Sequence, residues 1–384
     1  MMAPPPTGLY IHWPYCTKIC PYCDFNVAKQ RQVDESRWLQ VFTEDIAHFA
    51  DLLGQREIVS LYFGGGTPSL MSPTLIGRVI DTVAQNFHVS NTAEITLEAN
   101  PTDAEATRFK AFRSAGINRL SLGIQSFDDQ QLSFLGRNHS GEEAYQALSL
   151  SLKSFGKVTF DLIYALPTET PEQWTQRLEE AIAQGATHLS LYQLTIEPGT
   201  AFAHAVARQD WQPAHDDLSA DLYTLTQKIT AQRGLPGYEV SNHAKAGHEA
   251  VHNALYWQGA DWIGLGPGAH GRLTLNTPSN ASKRVSTMGT LNPVAYLNAP
   301  MTERYKLESL SKDQILIETL SGGLRPRKGL GLHRLSAQTQ EDLTPQIKKL
   351  YAEGLLAQQN NHIAATPKGQ LFIDYIVREL ISSV

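Results

Sequence analysis

The chain has 384 residues, a formal net charge of −6, 42% hydrophobic residues and only three cysteines. Its 18% charged content is ordinary for a folded globular protein, and the acidic balance argues against a nucleic-acid binder that works by bulk electrostatics. No apolar run approaches the roughly 20 residues that span a bilayer, so no membrane insertion is expected. The Pro-rich start, Met1 to Thr7, has neither a basic stretch nor an apolar core and does not read as a signal peptide. Reduced cysteines then fit a cytoplasmic protein, peripheral at a membrane only through partners.

From residue 8 to about 196, short apolar runs alternate with amphipathic stretches. Strands are predicted at 8–13, 58–63, 94–99, 118–124, 157–165 and 188–196. Helices are predicted at Glu35 to Leu53, Pro73 to Asn86, Asp103 to Ala115, Gly141 to Phe155 and Pro171 to Gln184, where apolar residues recur at three and four. Such repetition implies parallel strands joined by right-handed crossovers, in a partial barrel or a doubly wound open sheet. His215 to Arg233 reads as a long helix and Gly237 to Asn242 as a further strand. Trp262 to Gly271 reads as a Gly-rich strand and turn, and Asn276 to Asn292 as a loop or linker. Residues 306–384 read as a small unit, with helices at Leu307 to Leu320, Thr344 to Glu353 and Leu371 to Ile381. A hairpin between the last two completes a winged-helix-like pattern. The absence of a Lys/Arg-rich recognition helix argues against DNA binding, so this unit reads as a lid over the barrel mouth or a partner surface. The expected division is 1–235, 236–300 and 301–384.

The chemistry concentrates at Cys16, Cys20 and Cys23. An odd number of thiols cannot close into disulfide pairs. Their C-x3-C-x2-C spacing differs from zinc patterns, in which C-x2-C pairs recur far apart or are completed by histidines. Three thiolates can wrap one face of a [4Fe–4S] cluster, which normally takes four, and leave one iron open to a chelating molecule. Other unusual residues follow the predicted strands: Gly64-Gly65-Gly66-Thr67-Pro68, Glu98-Ala99-Asn100-Pro101, Gly123-Ile124-Gln125-Ser126, Asp161, then Gln193 and Thr195. A barrel places functional residues at such strand ends. Polar groups there are costly unless paired.

The cysteine octet after an apolar strand, with Gly64-Gly65-Gly66-Thr67-Pro68, resembles the radical S-adenosylmethionine (SAM) superfamily. The resemblance covers almost the whole chain and favours an α/β fold, a partial (β/α)6 TIM-type barrel with a small C-terminal winged-helix-like domain. It implies that the open iron chelates SAM, and that Tyr10, Tyr22, Gly65, Gly66, Thr67, Glu98, Gln125, Arg137, Asp161 and Thr195 surround it. Tyr22 would stack on adenine, Asp161 would hold the ribose and Arg137 would pair with the carboxylate. Arg119 and His139 sit nearby without an evident role, and His12 reads as a satisfied core histidine.

Two groups of the superfamily share these motifs: oxygen-independent coproporphyrinogen III oxidases, which carry out radical decarboxylations, and heme chaperones. The oxidases carry a further cysteine two residues after the third, where this chain has Phe25. They also carry a longer segment before the cluster motif. His252-Asn253 and Tyr256-Trp257 match the HNxxYW motif of the heme chaperones, in which the histidine ligates heme iron. The resemblance thus implies a protein that binds a [4Fe–4S] cluster, SAM and heme, and passes heme to apo-hemoproteins of the respiratory chain. A homodimer is compatible with this reading.

Overall fold

The computed structural model describes residues 6–29, 32–102, 106–276 and 282–382. Its frame is one 11-stranded sheet. Seven neighbouring strands run parallel: β8 (Asp261–Leu265), β1 (Pro6–Trp13), β2 (Glu57–Gly65), β3 (His88–Ala99), β4 (Arg119–Gln125), β5 (Lys157–Tyr164) and β6 (His188–Gln193). From β1 to β6, spatial order follows chain order. A doubly wound sheet would reverse its order at a switch point; this one does not, and the partial-barrel expectation holds.

The connecting helices α1 (Glu35–Leu53), α2 (Pro73–Asn86), α3 (Phe109–Ser114), α4 (Gly141–Ser154) and α5 (Pro171–Ala183) start where their capping signals say. Asp34, Ser72, Ser140 and Thr170 accept N–H donors from the first turns of α1, α2, α4 and α5. Ser140 with Glu143 and Thr170 with Gln173 form capping boxes. Part of the expected helix Asp103 to Ala115 falls outside the described residues; the remainder is helical at Phe109–Ser114.

The strands sort their side chains by period 2. Leu61 and Phe63, Ile95 and Leu97, Leu120 and Leu122, Phe160 and Leu162, and Leu189 and Leu191 are buried in the apolar core, on the face that the helices cover. The alternate residues Tyr62, Thr96, Glu98, Arg119, Ser121, Thr159, Asp161, His188 and Ser190 all line one cavity. Residues from five adjacent strands surround the same space, so the sheet is curled around it. A closed barrel fills its interior with branched apolar side chains; this interior is polar and hollow.

Three expectations are corrected. Residues 282–289 of the supposed loop form β10 (Ser282–Gly289), paired between β9 (His270–Asn276) and β11 (Tyr305–Ser309); the rest of the loop expectation includes residues outside the described set. Val285 and Thr287 of β10 are buried among otherwise exposed or half-buried neighbours, an alternation masked by its Ser, Lys and Arg residues. The helix expected at Leu307 to Leu320 divides into β11 and α8 (Lys312–Gly323), because Ser311 caps the helix with Gln314 in a capping box. The strand expected at Gly237 to Asn242 is confined to β7 (Asn242–Ala244), because buried Glu239 turns the chain by accepting the N–H groups of Ser241 and Asn242.

Helix α6 (Asp216–Gln232) matches its expectation. The C-terminal residues have their own apolar core, with Leu320, Leu335, Leu343, Leu350, Ile363 and Leu380 at its centre. Around it stand α8, α9 (Ala337–Ala352), α10 (Ile373–Ile381) and a three-stranded sheet whose hairpin is Leu356–Gln359 with His362–Ala365. Asn360 takes the left-handed conformation at its tip, a role asparagine fills readily. No helix among the described residues is long and apolar enough to cross a membrane.

Candidate functional site

The strand ends carry a cavity of about 440 Å3 whose walls include Cys16, Cys20, Cys23, Tyr22, Gly65, Gly66, Thr67, Glu98, Gln125, Arg137, Asp161 and Thr195. Twelve sequence-predicted positions thus meet at one place. Tyr10 does not join them. Tyr10, stacked on Tyr62 of the neighbouring strand, lines with His12 a second cavity, of about 950 Å3, which shares Phe25, Gly65 and Glu98 with the first.

The cysteine loop is clamped at its base, where Tyr15–Cys16 pairs with Ala28–Lys29. Asn26 donates to the carbonyls of Pro267 (2.9 Å) and Leu291 (2.8 Å), and His12 Nε2 meets the Asn26 carbonyl at 2.9 Å. His12 also bonds the Tyr10 hydroxyl through Nδ1 (3.0 Å), which fits its reading as a satisfied core histidine. None of the three cysteines is in a disulfide. Burial, followed by the fields of Cys16 and Cys20, pushes the Cys23 thiol up to about 11. Neighbouring buried thiols that oppose one another's ionisation need a cationic centre to become thiolates. No group of three His, Cys, Asp or Glu side chains among the described residues is arranged for a single metal ion. A four-iron cluster offers each thiolate a different iron, so its ligands need not converge on one point. The donor set fits such a cluster.

Arg137 reaches the loop directly. Its Nη1 donates to Cys20 Sγ (3.3 Å), and Nη2 donates to Asn100 Oδ1 (2.5 Å) and the Gly123 carbonyl (2.8 Å). Its buried Nε–H has no partner in the structure. Tyr22 is tilted against Phe202, with ring centroids 6.3 Å apart, in a small apolar cluster beneath the loop.

Gly65, which ends β2, and Gly66 are required by packing. A Cβ on Gly65 would stand 2.5 Å from the His12 ring, and its φ of +107° disfavours other residues. A Cβ on Gly66 would stand 2.7 Å from the Tyr15 carbonyl oxygen. The amides of this turn are already spent: Gly65 donates to Glu98 Oε2 (3.2 Å), Gly66 to the Trp13 carbonyl (2.7 Å) and Thr67 to the Tyr15 carbonyl (2.8 Å).

Glu98 also accepts the Tyr62 hydroxyl (2.8 Å). Burial raises its carboxyl to about 7, with a further upward push from Asp161. Burial likewise raises Asp161 to about 7. Two protonatable carboxyls in one cavity form a receptor for a cation. Gln125 has a positive φ of 67°, a strained conformation for a residue with a side chain, at the end of β4. Thr195 lies past β6, exposed, and its hydroxyl donates to the Gln193 carbonyl (3.3 Å).

The HNxxYW segment forms a helix, α7 (Val251–Gln258), that enters the barrel from the strands' N-terminal ends. Glu94 accepts the Val251 N–H (2.8 Å) and pairs with Arg119 (3.2 Å), which also donates to Thr159 Oγ1 (2.7 Å). Arg119 therefore anchors this plug. Asn253 faces the cysteine cavity, and Tyr256 and Trp257 face the larger one. His252 faces neither. It is 1% exposed and stacked on Tyr62 (centroids 4.9 Å apart), and both ring nitrogens are bonded: Nδ1 with Ser60 Oγ (2.9 Å) and Nε2 with the Tyr256 hydroxyl (2.7 Å). As placed, this imidazole has no nitrogen to offer a ligand.

The larger cavity is walled by Tyr10, Phe25, Tyr256, Trp257, Trp262 and Ile315, with Arg272, Arg284, Arg334 and His270 among its polar groups. The C-terminal helix α8 forms one side of it through Ile315, Glu318 and Gly322. No lining residue of the cysteine cavity comes from beyond Asn253. The expectation of a C-terminal lid over the barrel mouth is thus corrected: that segment packs on α7, where Arg325 lies 4.7 Å from the Trp257 ring centre.

A Radical SAM superfamily model matches residues 10–181, and a HemN C-terminal domain model matches 310–372. The heme chaperone HemW of Haemophilus influenzae is 41% identical over 76% of this chain and 76% of its own. HemW of Escherichia coli is 33% identical over 98% of each. The mitochondrial radical S-adenosyl methionine domain-containing protein 1 of Bos taurus is 37% identical over 98% of this chain and 87% of its own. The structure of coproporphyrinogen III oxidase (HemN) from Escherichia coli shares the fold, with a TM-score of 0.81 at 22% identity over 99% of this chain and 91% of that one. Taken with the three-thiol loop at the mouth of a polar partial barrel, these matches show that the chain belongs to the radical SAM superfamily, in the HemW heme chaperone family.

Proposed function

We propose that this chain is a heme chaperone: it holds a [4Fe–4S] cluster and SAM at the barrel mouth, holds heme in the larger cavity, and delivers heme to apo-hemoproteins of the respiratory chain. The observation that carries this reading is the pair of cavities with shared walls. One is polar and carries three cysteine thiols; the other is aromatic, bears arginines and has about 950 Å3 of room, at the upper end of the roughly 300–1,000 Å3 of small-molecule sites. A heme has an apolar macrocycle and two carboxylates, which suit aromatic walls and guanidinium groups.

In the smaller cavity Cys16, Cys20 and Cys23 would each hold one iron, and the cluster would supply an open iron to SAM. Glu98 and the carbonyls of Gly65 and Gly66 would receive the methionyl ammonium, since the amides of that turn are spent. Arg137 would hold Cys20 and meet the carboxylate. Asp161 and Thr195 would face the ribose, Gln125 and Thr67 would close the walls, and Tyr22 would lie beside adenine. Tyr10 would support this site through His12 and Gly65 from the other cavity. A homodimer would bring two such sites into one assembly.

Transfer is tested by mixing heme-loaded protein with an apo-cytochrome and following the Soret band after separating the two. Movement of heme into the cytochrome, faster than from heme-loaded albumin, is expected. Retention of heme by the chaperone, or a rate equal to free release, would defeat the delivery reading. The second reading, coproporphyrinogen III oxidation, draws only on the shared fold with HemN and is opposed by Phe25. Anaerobic conversion of coproporphyrinogen III by reconstituted protein would reverse the order.

A further inference from the structure

Three imidazoles stand at or behind the larger cavity. His12 is bonded through both nitrogens, to the Tyr10 hydroxyl and the Asn26 carbonyl. His252 is bonded through both, to Ser60 and Tyr256. His270 opens β9, lines the cavity and is exposed. Its carbonyl accepts Trp262 Nε1–H (3.0 Å), but its ring nitrogens have no hydrogen bond among the described residues.

The backbone beneath that ring is fixed. A Cβ on Gly264 would stand 2.2 Å from the His270 carbonyl oxygen, and one on Gly271 would stand 2.9 Å from the Trp262 carbonyl oxygen. The two strands approach so closely here that only glycine fits, and the imidazole is carried on a rigid edge. Nearby charges separate into two kinds. Arg284 is paired with Asp261 (2.5 Å) and Arg272 with Glu318 (2.7 Å). Arg334 donates through Nη1 to the Trp257 carbonyl (2.9 Å) and has no carboxylate partner among the described residues. It is the guanidinium here whose charge is not already answered.

We infer that His270 supplies the axial ligand to the iron of a porphyrin seated in this cavity, and that Arg334 receives one of its carboxylates. The inference rests on the heme reading above and moves the iron ligand from His252 to a different strand. The His270 ring lines the cavity with its nitrogens unbonded among the described residues, and an imidazole nitrogen is a common axial donor to heme iron. His252 then serves the wall rather than the iron, since it locks Tyr256 to Ser60 and so fixes the aromatic side of the cavity.

The test is titration of hemin into the full chain, reconstituted anaerobically, for wild type, His270→Ala, His252→Ala and Arg334→Gln. Soret absorption, low-temperature electron paramagnetic resonance and thermal melting are recorded for each. His270→Ala is expected to lose the imidazole-ligated signature, to recover it with added imidazole, and to melt like wild type because the removed ring is exposed. Arg334→Gln is expected to keep the signature and to bind about tenfold more weakly. His252→Ala is expected to melt lower yet keep the signature. An unchanged signature in His270→Ala overturns the inference and leaves the heme reading standing. Loss of the signature in His252→Ala alone also overturns it and returns the ligand to the HNxxYW motif. Failure of wild type to bind hemin saturably removes both readings together.

Discussion

The two cavities are built from different parts of the chain and by different rules. The cysteine cavity takes its walls from successive strand ends, each followed at once by the residues that matter. The larger cavity gathers Tyr10, Phe25, Tyr256, Trp262, His270, Ile315 and Arg334 from stretches scattered between residues 10 and 334. Motifs describe the first kind well, because topology brings consecutive strand ends to one rim. The second kind exists only after packing. The cavity proposed for cargo thus sits where local pattern says least, beside a cavity proposed for cofactors that local pattern largely describes.

The strongest way to break this comparison is to remove a thiol. Cys16→Ser, Cys20→Ser and Cys23→Ser should each abolish the visible absorption and the iron content of the reconstituted cluster, since a cluster already short of one protein ligand cannot lose a second. Hemin binding should persist, because no cysteine lines the larger cavity. Loss of both together would mean that the cavities act as one site.

A proton test sharpens it further. Glu98 and Asp161 have folded-state pKa values raised to about 7. A raised carboxyl pKa means that the folded state binds the proton more tightly than the unfolded chain. The stabilisation is fully present below the unfolded carboxylate value, near 4, and is lost as pH rises toward 7. Protein without cluster or SAM should therefore melt higher at pH 5 than at pH 8. SAM reverses the sign, because its ammonium favours the ionised carboxylate, so its affinity should rise through pH 7. Glu98→Gln should flatten that rise and weaken SAM by about tenfold. Calorimetry in two buffers of different ionisation heat would report the released proton; none released would exclude Glu98 as the ammonium partner.

Gly65→Ala should act on both cavities, since Gly65 belongs to each. The added methyl meets His12 at a φ that alanine disfavours, a strain of about 1–3 kcal/mol. A lower melting temperature with weaker SAM binding is expected. A neutral result would show that His12 can move, and with it Tyr10.

What is legible in the sequence follows the same divide. The order of the parallel strands and their helices are readable from period and caps, and twelve of the thirteen residues expected around the cluster and SAM line one cavity. Tyr10 stacks on Tyr62 of the neighbouring strand, on the interior face of β1, yet lines the larger cavity and not the cysteine cavity, a difference that the motif does not carry. β10 is hidden because its alternation is carried by Val285 and Thr287, set between Arg284, Ser286 and Met288. His252 matches a motif, yet only packing reveals that Ser60, from a strand nearly 200 residues away, takes one of its nitrogens. The polar interior, Thr96 and Glu98, Ser121, Thr159 and Asp161, His188 and Ser190, is present in the sequence as a period-2 pattern on every strand. Reading it requires knowing first that the opposite face is covered by helices.

The smallest expected effect concerns Thr195. Among the twelve expected residues that line the cysteine cavity it is loosely held: it lies beyond the strand, it is exposed, and its hydroxyl donates to the Gln193 carbonyl, two residues back. A contact made from such a position competes with water and adds little. Thr195→Val should shift SAM affinity by no more than about 0.5 kcal/mol, the usual range for exposed substitutions. Asp161→Asn, by contrast, changes a half-buried group held on a strand and should weaken binding by about tenfold. Equal losses from the two variants would mean that residues 194–197 close over bound SAM and enclose Thr195, which would give the mouth of the cysteine cavity a mobile wall that the larger cavity lacks.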